Sequence, residues 1–252
     1  MRFDVIPSRA DSAAANMAAD FLLLKRYPEK TYARFRAYGW HRPAFTFGFS
    51  QKIAWVRDNL PAEVRADPFA VPELVRRPTG GGIVDHRDDW TYALVLPRGH
   101  DLEAARAPDS YRAIHAALAS ALQTCGQPAL VKERCEPPSE SDDDTLACSA
   151  ATGPTVCFTR PELFDVIHPE TGLKIAGAAQ KRTKEGLLFQ GSILRSSALR
   201  IQNWDAFHAA FISALADTLR LPANETPWPG FPEGEMEALT EHYASSEWRD
   251  QR

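Results

Sequence analysis

The sequence predicts an α+β domain, and three observations predict it. Short runs with the two-residue alternation of half-buried strands follow one another through turns rich in glycine and proline. Only a few stretches interrupt them with the 3.6-residue apolar period of a helix. The 252 residues suffice for one substantial core, so residues 1–252 are read as a single domain.

Taking the elements in order, residues 10–26 read as a packing helix with Met17, Phe21 and Leu24 on one face, Asp11 or Ser12 as its cap and Pro28 as its stop. Residues 32–38 and 44–48 alternate as strands about a turn at Arg42-Pro43, which makes them a hairpin candidate. Short helices are expected near 54–59 and 62–66. Residues 73–77 and 83–86 read as strands on either side of a glycine-rich turn, followed by a longer buried strand over 90–96 that Pro97 ends. Asp109-Ser110 is read as the cap of a helix whose Tyr111, Ile114, Leu118 and Leu122 hold their period up to Gly126. A strand is expected at 129–131. Residues 133–154, which include Pro137-Pro138-Ser139-Glu140-Ser141-Asp142-Asp143-Asp144, are acidic and aperiodic and read as a surface loop. Strands at 162–168 and 173–180 flank the turn Pro169-Glu170-Thr171-Gly172, and a third strand-like run covers 187–194. Asn203 is placed to cap a helix carrying Trp204, Phe207, Phe211 and Leu215, and a shorter helix is expected over 233–243.

Composition narrows the function classes. Hydrophobic content of 44% and charged content of 25% are ordinary for a soluble globular chain. A formal net charge of −4 gives no general pull towards nucleic acid or an anionic membrane. No run approaches the roughly 18 apolar residues of a membrane span, and the N-terminus lacks a signal-peptide core, so a cytoplasmic location is expected. Cys125, Cys135, Cys148 and Cys157 match no paired zinc-ligand spacing, so no metal site is expected.

The densest chemical signal is Arg76-Arg77-Pro78-Thr79-Gly80-Gly81-Gly82-Ile83-Val84-Asp85-His86. Consecutive glycines let the backbone take φ > 0 and let a ligand reach main-chain N–H groups, while two guanidinium groups offer forked donors to phosphate or carboxylate. A plain flexible connection is the competing reading. Lys174 is conspicuous in the small, apolar run Leu173-Lys174-Ile175-Ala176-Gly177-Ala178-Ala179-Gln180, because a buried ammonium needs an anion or a task. Gly177 and Ala178 leave space beside it for a ligand; otherwise its head reaches water from a strand start. Cys157 lies just upstream, where a nearby cation would favour its thiolate, although a lone cysteine is commonly just a small buried hydrophobe.

Together these segments resemble the lipoate–protein ligase and octanoyltransferase family, which includes the catalytic domain of biotin–protein ligases. The resemblance is carried by Asn16-Met17-Ala18-Ala19-Asp20, by Arg34-Phe35-Arg36-Ala37-Tyr38-Gly39-Trp40 with Phe47-Gly48-Phe49-Ser50-Gln51, and by the glycine turn. Asp89-Trp90-Thr91-Tyr92, Lys174 to Arg182 and Gln190-Gly191-Ser192-Ile193-Leu194 extend it, so that it is clearest over residues 16–194. It implies a mixed, largely antiparallel sheet flanked by helices, of the class II aminoacyl-tRNA synthetase and biotin synthetase type. Cys157 looks like the acyl-carrying cysteine of the octanoyltransferase branch, and length is expected to agree, since many ligases append an accessory C-terminal domain for which 252 residues leave no room, while others obtain that part from a separate polypeptide.

The resemblance further implies transfer of an octanoyl or lipoyl group from acyl carrier protein to a lysine of a lipoyl domain of 2-oxoacid dehydrogenases or of glycine cleavage H protein. Cys157 and Lys174 would be catalytic. Arg76, Arg77, Thr79, Gly80, Gly81, Gly82, Ile83, Val84, His86, Gly177, Ala178, Gln180, Gln190 and Gly191 would bind substrate. No cofactor is needed for the transferase; ATP and Mg would serve the alternative, a lipoate ligase acting through lipoyl-adenylate. A non-catalytic binder of acylated proteins is the third possibility. Arg34, Arg36, Arg76, Arg77, Lys181, Arg182 and Lys184 are expected to form a local docking face for acidic partners.

Overall fold

In the computed structural model, residues 1–66, 71–134 and 160–251 are described. Cys135, Cys148 and Cys157 and nearly all of the acidic 133–154 segment lie outside them. The chain runs β1 (Phe3–Val5), β2 (Arg9–Asp11), α1 (Ala13–Lys25), β3 (Ala33–Trp40), β4 (Ala44–Phe47), α2 (Ile53–Asp58), α3 (Ala62–Ala66), β5 (Glu73–Arg76), β6 (Val84–Asp85) and β7 (Asp89–Pro97). It continues through α4 (Asp101–Ala104), α5 (Ala107–Thr124), β8 (Leu130–Val131), β9 (Val166–Ile167), β10 (Lys174–Thr183), β11 (Gly186–Leu194), α6 (Trp204–Leu219), β12 (Ala223–Glu225), α7 (Glu235–Ala244) and α8 (Ser246–Asp250).

Among the described residues, nine strands form one sheet in the order β12-β1-β3-β7-β11-β10-β9-β8, with β2 paired to β3. The pairs from β3 through to β8 are antiparallel, while β1 and β2 join β3 in parallel, which gives the expected mixed, largely antiparallel sheet. Two-residue alternation sorts its side chains between two cores. Trp90, Tyr92, Leu94 and Leu96 of β7 and Leu187, Phe189 and Ile193 of β11 pack under α5 and α6, against Ile114, Leu118, Phe207 and Phe211. The intervening Ala93, Val95 and Leu188 pack on the opposite face with Leu23 and Leu24 of α1. No helix among the described residues is long and apolar enough to cross a membrane.

The first hairpin expected from the sequence does not form. β4 leaves β3 and joins a separate three-stranded sheet in the order β5-β4-β6. Phe45 and Phe47 then bury themselves against Val56, Leu60 and Ile83, a closed core of their own that pairing with β3 could not supply. The strands on either side of the glycine turn likewise pair with β4 rather than with each other. α5 begins at Ala107, ahead of Asp109-Ser110, because Pro108 fits a first helical turn, where no intrahelical N–H bond is lost. The 162–168 strand shortens to β9. Ser12 is the cap of α1 and Asn203 that of α6, accepting from Asp205 N and Ala206 N at 3.0 Å each.

α1 is buried on more than one side. Asn16 and Asp20 face into the protein and receive the guanidinium of Arg36 from β3: Nε donates to Asp20 Oδ1 at 2.7 Å and Nη2 to the Asn16 carbonyl at 2.7 Å. With Arg36 at 2% and Asp20 at 0% side-chain exposure, this ion pair bolts α1 to the sheet from within.

Candidate active site

Between α1, the centre of the large sheet and the small sheet lies a mainly apolar cavity of about 500 Å³, its open mouth included. Met17 of α1, Tyr38 and Trp40 of β3, Val84 of β6 and the small residues Gly177, Ala178, Ala179 and Gly191 line it. Polar groups enter at a few places only: Lys174, Arg77, Gln190, and a cluster of Thr46, His86, Thr91 and Ser192.

Lys174 reaches the cavity from the first residue of β10. The register of β10 against β9 slips between Lys174 and Ala176, a local irregularity of the bulge type that re-aims a side chain. Its Nζ lies 2.6 Å from Asp165 Oδ2, with side-chain exposures of 6% and 1%. Asp165 is itself fixed: Oδ2 accepts from Glu162 N at 2.7 Å and Oδ1 from the Tyr111 hydroxyl at 2.8 Å, which in turn accepts from Ala178 N at 2.9 Å. Burial, then the Asp165 charge, pushes the Tyr111 phenol well up, so it stays a neutral donor. The space beside Lys174 is shared: Lys174, Gly177 and Ala178 all line the cavity, but part of the room is taken by the lysine itself. A Cβ on Gly177 would lie 2.6 Å from both Lys174 Cε and Nζ, so the lysine's own tail fills the room that this glycine provides.

The glycine turn is held by its arginines rather than offering them to a ligand. Arg77 Nη2 donates to the carbonyls of Gly80 at 2.8 Å and Gly82 at 3.0 Å, and Nη1 donates to Thr46 Oγ1 at 2.8 Å. Arg76, one residue earlier and facing the other way, directs its guanidinium to backbone carbonyls of Phe49, Gln51, Trp248 and Arg249, and does not line the cavity. Gly81 takes φ = 90°, and a Cβ on Gly48 would stand 2.0 Å from its carbonyl oxygen, so the two backbones touch where neither can carry a side chain.

Alternation on β4 turns Thr46 away from Phe45 and Phe47 and into the cavity. Because Thr46 Oγ1 accepts from Arg77, its own proton is free to go to His86 Nε2, 2.7 Å away, and His86 Nδ1–H then donates to Asp89 Oδ2 at 2.7 Å. The same carboxylate oxygen receives the hydroxyls of Ser192 at 2.6 Å and Thr91 at 2.8 Å. Trp40 stacks on His86 with ring centroids 4.0 Å apart, and its Nε1 donates to Thr91 Oγ1 at 3.0 Å. Gln190 bridges two walls: Oε1 accepts from Thr79 Oγ1 at 2.8 Å, and Nε2 donates to Asp20 Oδ2 at 2.7 Å.

Of the residues singled out from sequence, Lys174, Arg77, Gly81, Val84, His86, Gly177, Ala178, Gln190 and Gly191 meet at the cavity. Thr79, Gly80, Gly82 and Ile83 do not line it, and Ile83 sits in the core with Phe45 and Phe47. Gln180 departs: it faces α5, where Nε2 donates to the Ala107 carbonyl at 2.8 Å. Cys157 lies outside the described residues. The proposed docking face contracts, because Arg34, Arg36, Arg76 and Arg77 are at most 5% exposed and are held by internal partners. Lys181, Arg182 and Lys184 remain at the surface near the tip of the β10–β11 hairpin. Met17, Thr46, Thr91 and Ser192 were not marked by sequence as site residues. The polar interruption Gln190-Gly191-Ser192 in an apolar run was a signal for Ser192; Thr46 and Thr91 sit within ordinary strands and gave none.

Residues 12–220 match the model of the Lipoyl protein ligase A/B catalytic domain. Curated relatives include the octanoyltransferase LipM of Anoxybacillus flavithermus, 31% identical over 188 residues that cover 73% of this chain and 62% of that protein. The octanoyltransferase LipM of Geobacillus kaustophilus is 32% identical over 186 residues, covering 72% and 61%. The chain thus spans about three fifths of the length of these relatives. Among solved structures, a lipoate-protein ligase A bound with ATP superposes with a TM-score of 0.65 at 18% identity, covering 99% of this chain and 98% of the other. A bi-partite lipoate protein ligase of Thermoplasma acidophilum gives 0.63 at 18%, covering 99% and 96%. At such identities the likeness is one of fold.

Proposed function

Because the chain belongs to the Lipoyl protein ligase A/B catalytic domain family, we propose that it transfers an octanoyl group, or a similar medium-chain acyl group, to a lysine of a lipoyl domain or of glycine cleavage H protein. The observation that carries this reading is the buried Lys174 ammonium set into the wall of a mainly apolar cavity. An acyl chain is held by the apolar lining, and its carbonyl dipole is met by the fixed Lys174 ammonium. Octanoyltransferases among the relatives support the choice of acyl group.

The donor is acyl carrier protein, and the nucleophile is Cys157. Its thiolate attacks the carrier thioester, the new C–S bond forms, and the carrier thiol departs with a proton. The amine of the acceptor lysine then attacks the Cys157 thioester, an amide forms, and the cysteine thiol is regenerated. Lys174 stabilises negative charge on the thiolate and on the carbonyl oxygen. Gly81, at φ = 90°, shapes the adjoining backbone to follow the chain. Lys181, Arg182 and Lys184 offer the acidic partners a basic edge. The transferase needs no cofactor. The ligase alternative finds less support, since Arg76 and Arg77 are engaged by backbone carbonyls instead of being presented to a phosphate.

The test is incubation with octanoyl–acyl carrier protein followed by mass spectrometry. A hydroxylamine-sensitive octanoyl adduct on Cys157, absent from Cys157→Ser and discharged by a lipoyl domain, is the expected result. Lipoylation by Cys157→Ser in the presence of ATP, Mg and lipoate would assign a ligase, and neither activity would assign a binder.

A further inference from the structure

The C-terminal helices α7 and α8 lie beyond the residues that match the family, yet they reach the base of the glycine turn. We propose that this segment braces the cavity wall, with Arg76 and Trp248 as positioning residues.

The last carbonyls of a helix have no intrahelical donor. In α8 those of Trp248 and Arg249 are taken by Arg76, whose Nε lies 3.1 and 3.2 Å from them and whose Nη2 donates to Arg249 O at 2.7 Å. Trp248 returns the contact, its Nε1 donating to the Arg76 carbonyl at 2.9 Å. The remaining arm of the guanidinium, Nη1, donates to Phe49 O at 2.5 Å and Gln51 O at 2.8 Å, which gathers the 48–51 turn. That turn is what the glycine loop rests on: Phe49 N donates to Thr79 O at 2.9 Å, and Gly48 abuts Gly81. Trp248 is seated between Phe49, at 5.8 Å, and Tyr243, at 5.3 Å, and Tyr243 packs on Phe21 of α1 at 6.5 Å. One buried guanidinium therefore joins α8, the 48–51 turn and the strand that enters the glycine loop. Arg76 contributes to the site by holding Gly81 in place, without touching substrate.

Hydrogen exchange read by mass spectrometry on the 252-residue chain tests this independently of activity. In Trp248→Phe, which keeps the ring packing and loses the indole N–H, and in Arg76→Lys, which keeps the charge and loses the fork, the hydrogen-bonded amides of Gly48, Phe49, Gln51 and Arg77 should exchange about tenfold faster or more, with β7 and β11 unchanged. Resting on the transferase reading, the kinetic arm expects KM for the octanoyl donor to rise about tenfold in Trp248→Phe, with kcat altered about threefold at most. Folded variants in which Phe49, whose amide bonds Thr79 O, exchanges as in the unaltered chain would overturn the brace. Absence of turnover in the unaltered chain would count against the transferase alone, and the exchange data would still decide the brace.

Discussion

Lys174 illustrates what a single residue can and cannot disclose. A lysine among small apolar residues was legible as a buried cation, but its counter-ion was not, because Asp165 belongs to a different strand approach and its role depends on the backbone folding it under Tyr111. Arg76 was misread for a related reason, while Arg77 does line the cavity: residue type shows that a guanidinium needs acceptors, not whether these are a ligand's oxygens or the chain's own carbonyls. Two predictions belong here. Gly177→Ala brings a Cβ within 2.6 Å of the flexible end of Lys174, which yields while the strand stays. A loss of transfer rate of roughly 100-fold is expected, against a melting temperature lowered by only about 2–4 °C, equivalent to about 1 kcal/mol. Kinetics and calorimetry on the same preparation measure both. Lys174→Met leaves the Asp165 carboxylate buried without its cation and should cost about 3 kcal/mol in urea denaturation; an unchanged midpoint would show that the pair is not held in solution.

At the scale of elements, long strands and long helices were readable because eight or more positions display a period. β1, β2 and β12, each of three residues, offer too few positions to show one, and α4 and α8 are little longer than a turn. Pairing was the harder quantity. Ala44 to Phe47 alternates as a strand should, but alternation does not name its neighbour, and β4 found both partners beyond α3. Tyr92 of β7 and Gly191 of β11 show how two strands fit. They pair directly, and a Cβ on Gly191 would fall 2.2 Å from the tyrosine ring, which Phe35 and Phe211 hold from other sides. Gly191→Ala should therefore destabilise by about 2 kcal/mol or more through overpacking. Adding Tyr92→Leu should recover part of that loss, giving a coupling of about 1 kcal/mol or more in a double-mutant cycle by urea denaturation; strictly additive effects would mean that the ring has another place to go.

For the whole molecule, the sheet with helices on its faces and the family could be read from the chain between Asn16 and Leu194. The contribution of the C-terminal helices could not: Met236, Leu239, Tyr243 and Trp248 mark an apolar face without naming α1 as its partner, and the carbonyls that α8 offers Arg76 leave no mark on side-chain pattern. A global consequence follows from His115, buried in α5 with Nδ1 2.7 Å from the Phe164 carbonyl and its pKa lowered by burial to about 4 from 6.5. Between those values the unfolded chain binds the proton and the folded chain does not. The associated stability is complete above about pH 6.5 and is lost as pH falls towards 4, a change of about 3 kcal/mol. Urea midpoints from pH 7 to 4.5 should fall steeply in the native sequence and less so in His115→Leu; parallel slopes would remove His115 as the cause. The Trp40–His86 stack carries a consequence of another kind. Of six tryptophans in the chain, Trp40 alone lines the cavity, so entry of an acyl chain should strip water from one indole and leave five as a constant background. The blue shift of its emission, obtained by subtracting Trp40→Phe, makes the protein its own optical gauge of occupancy.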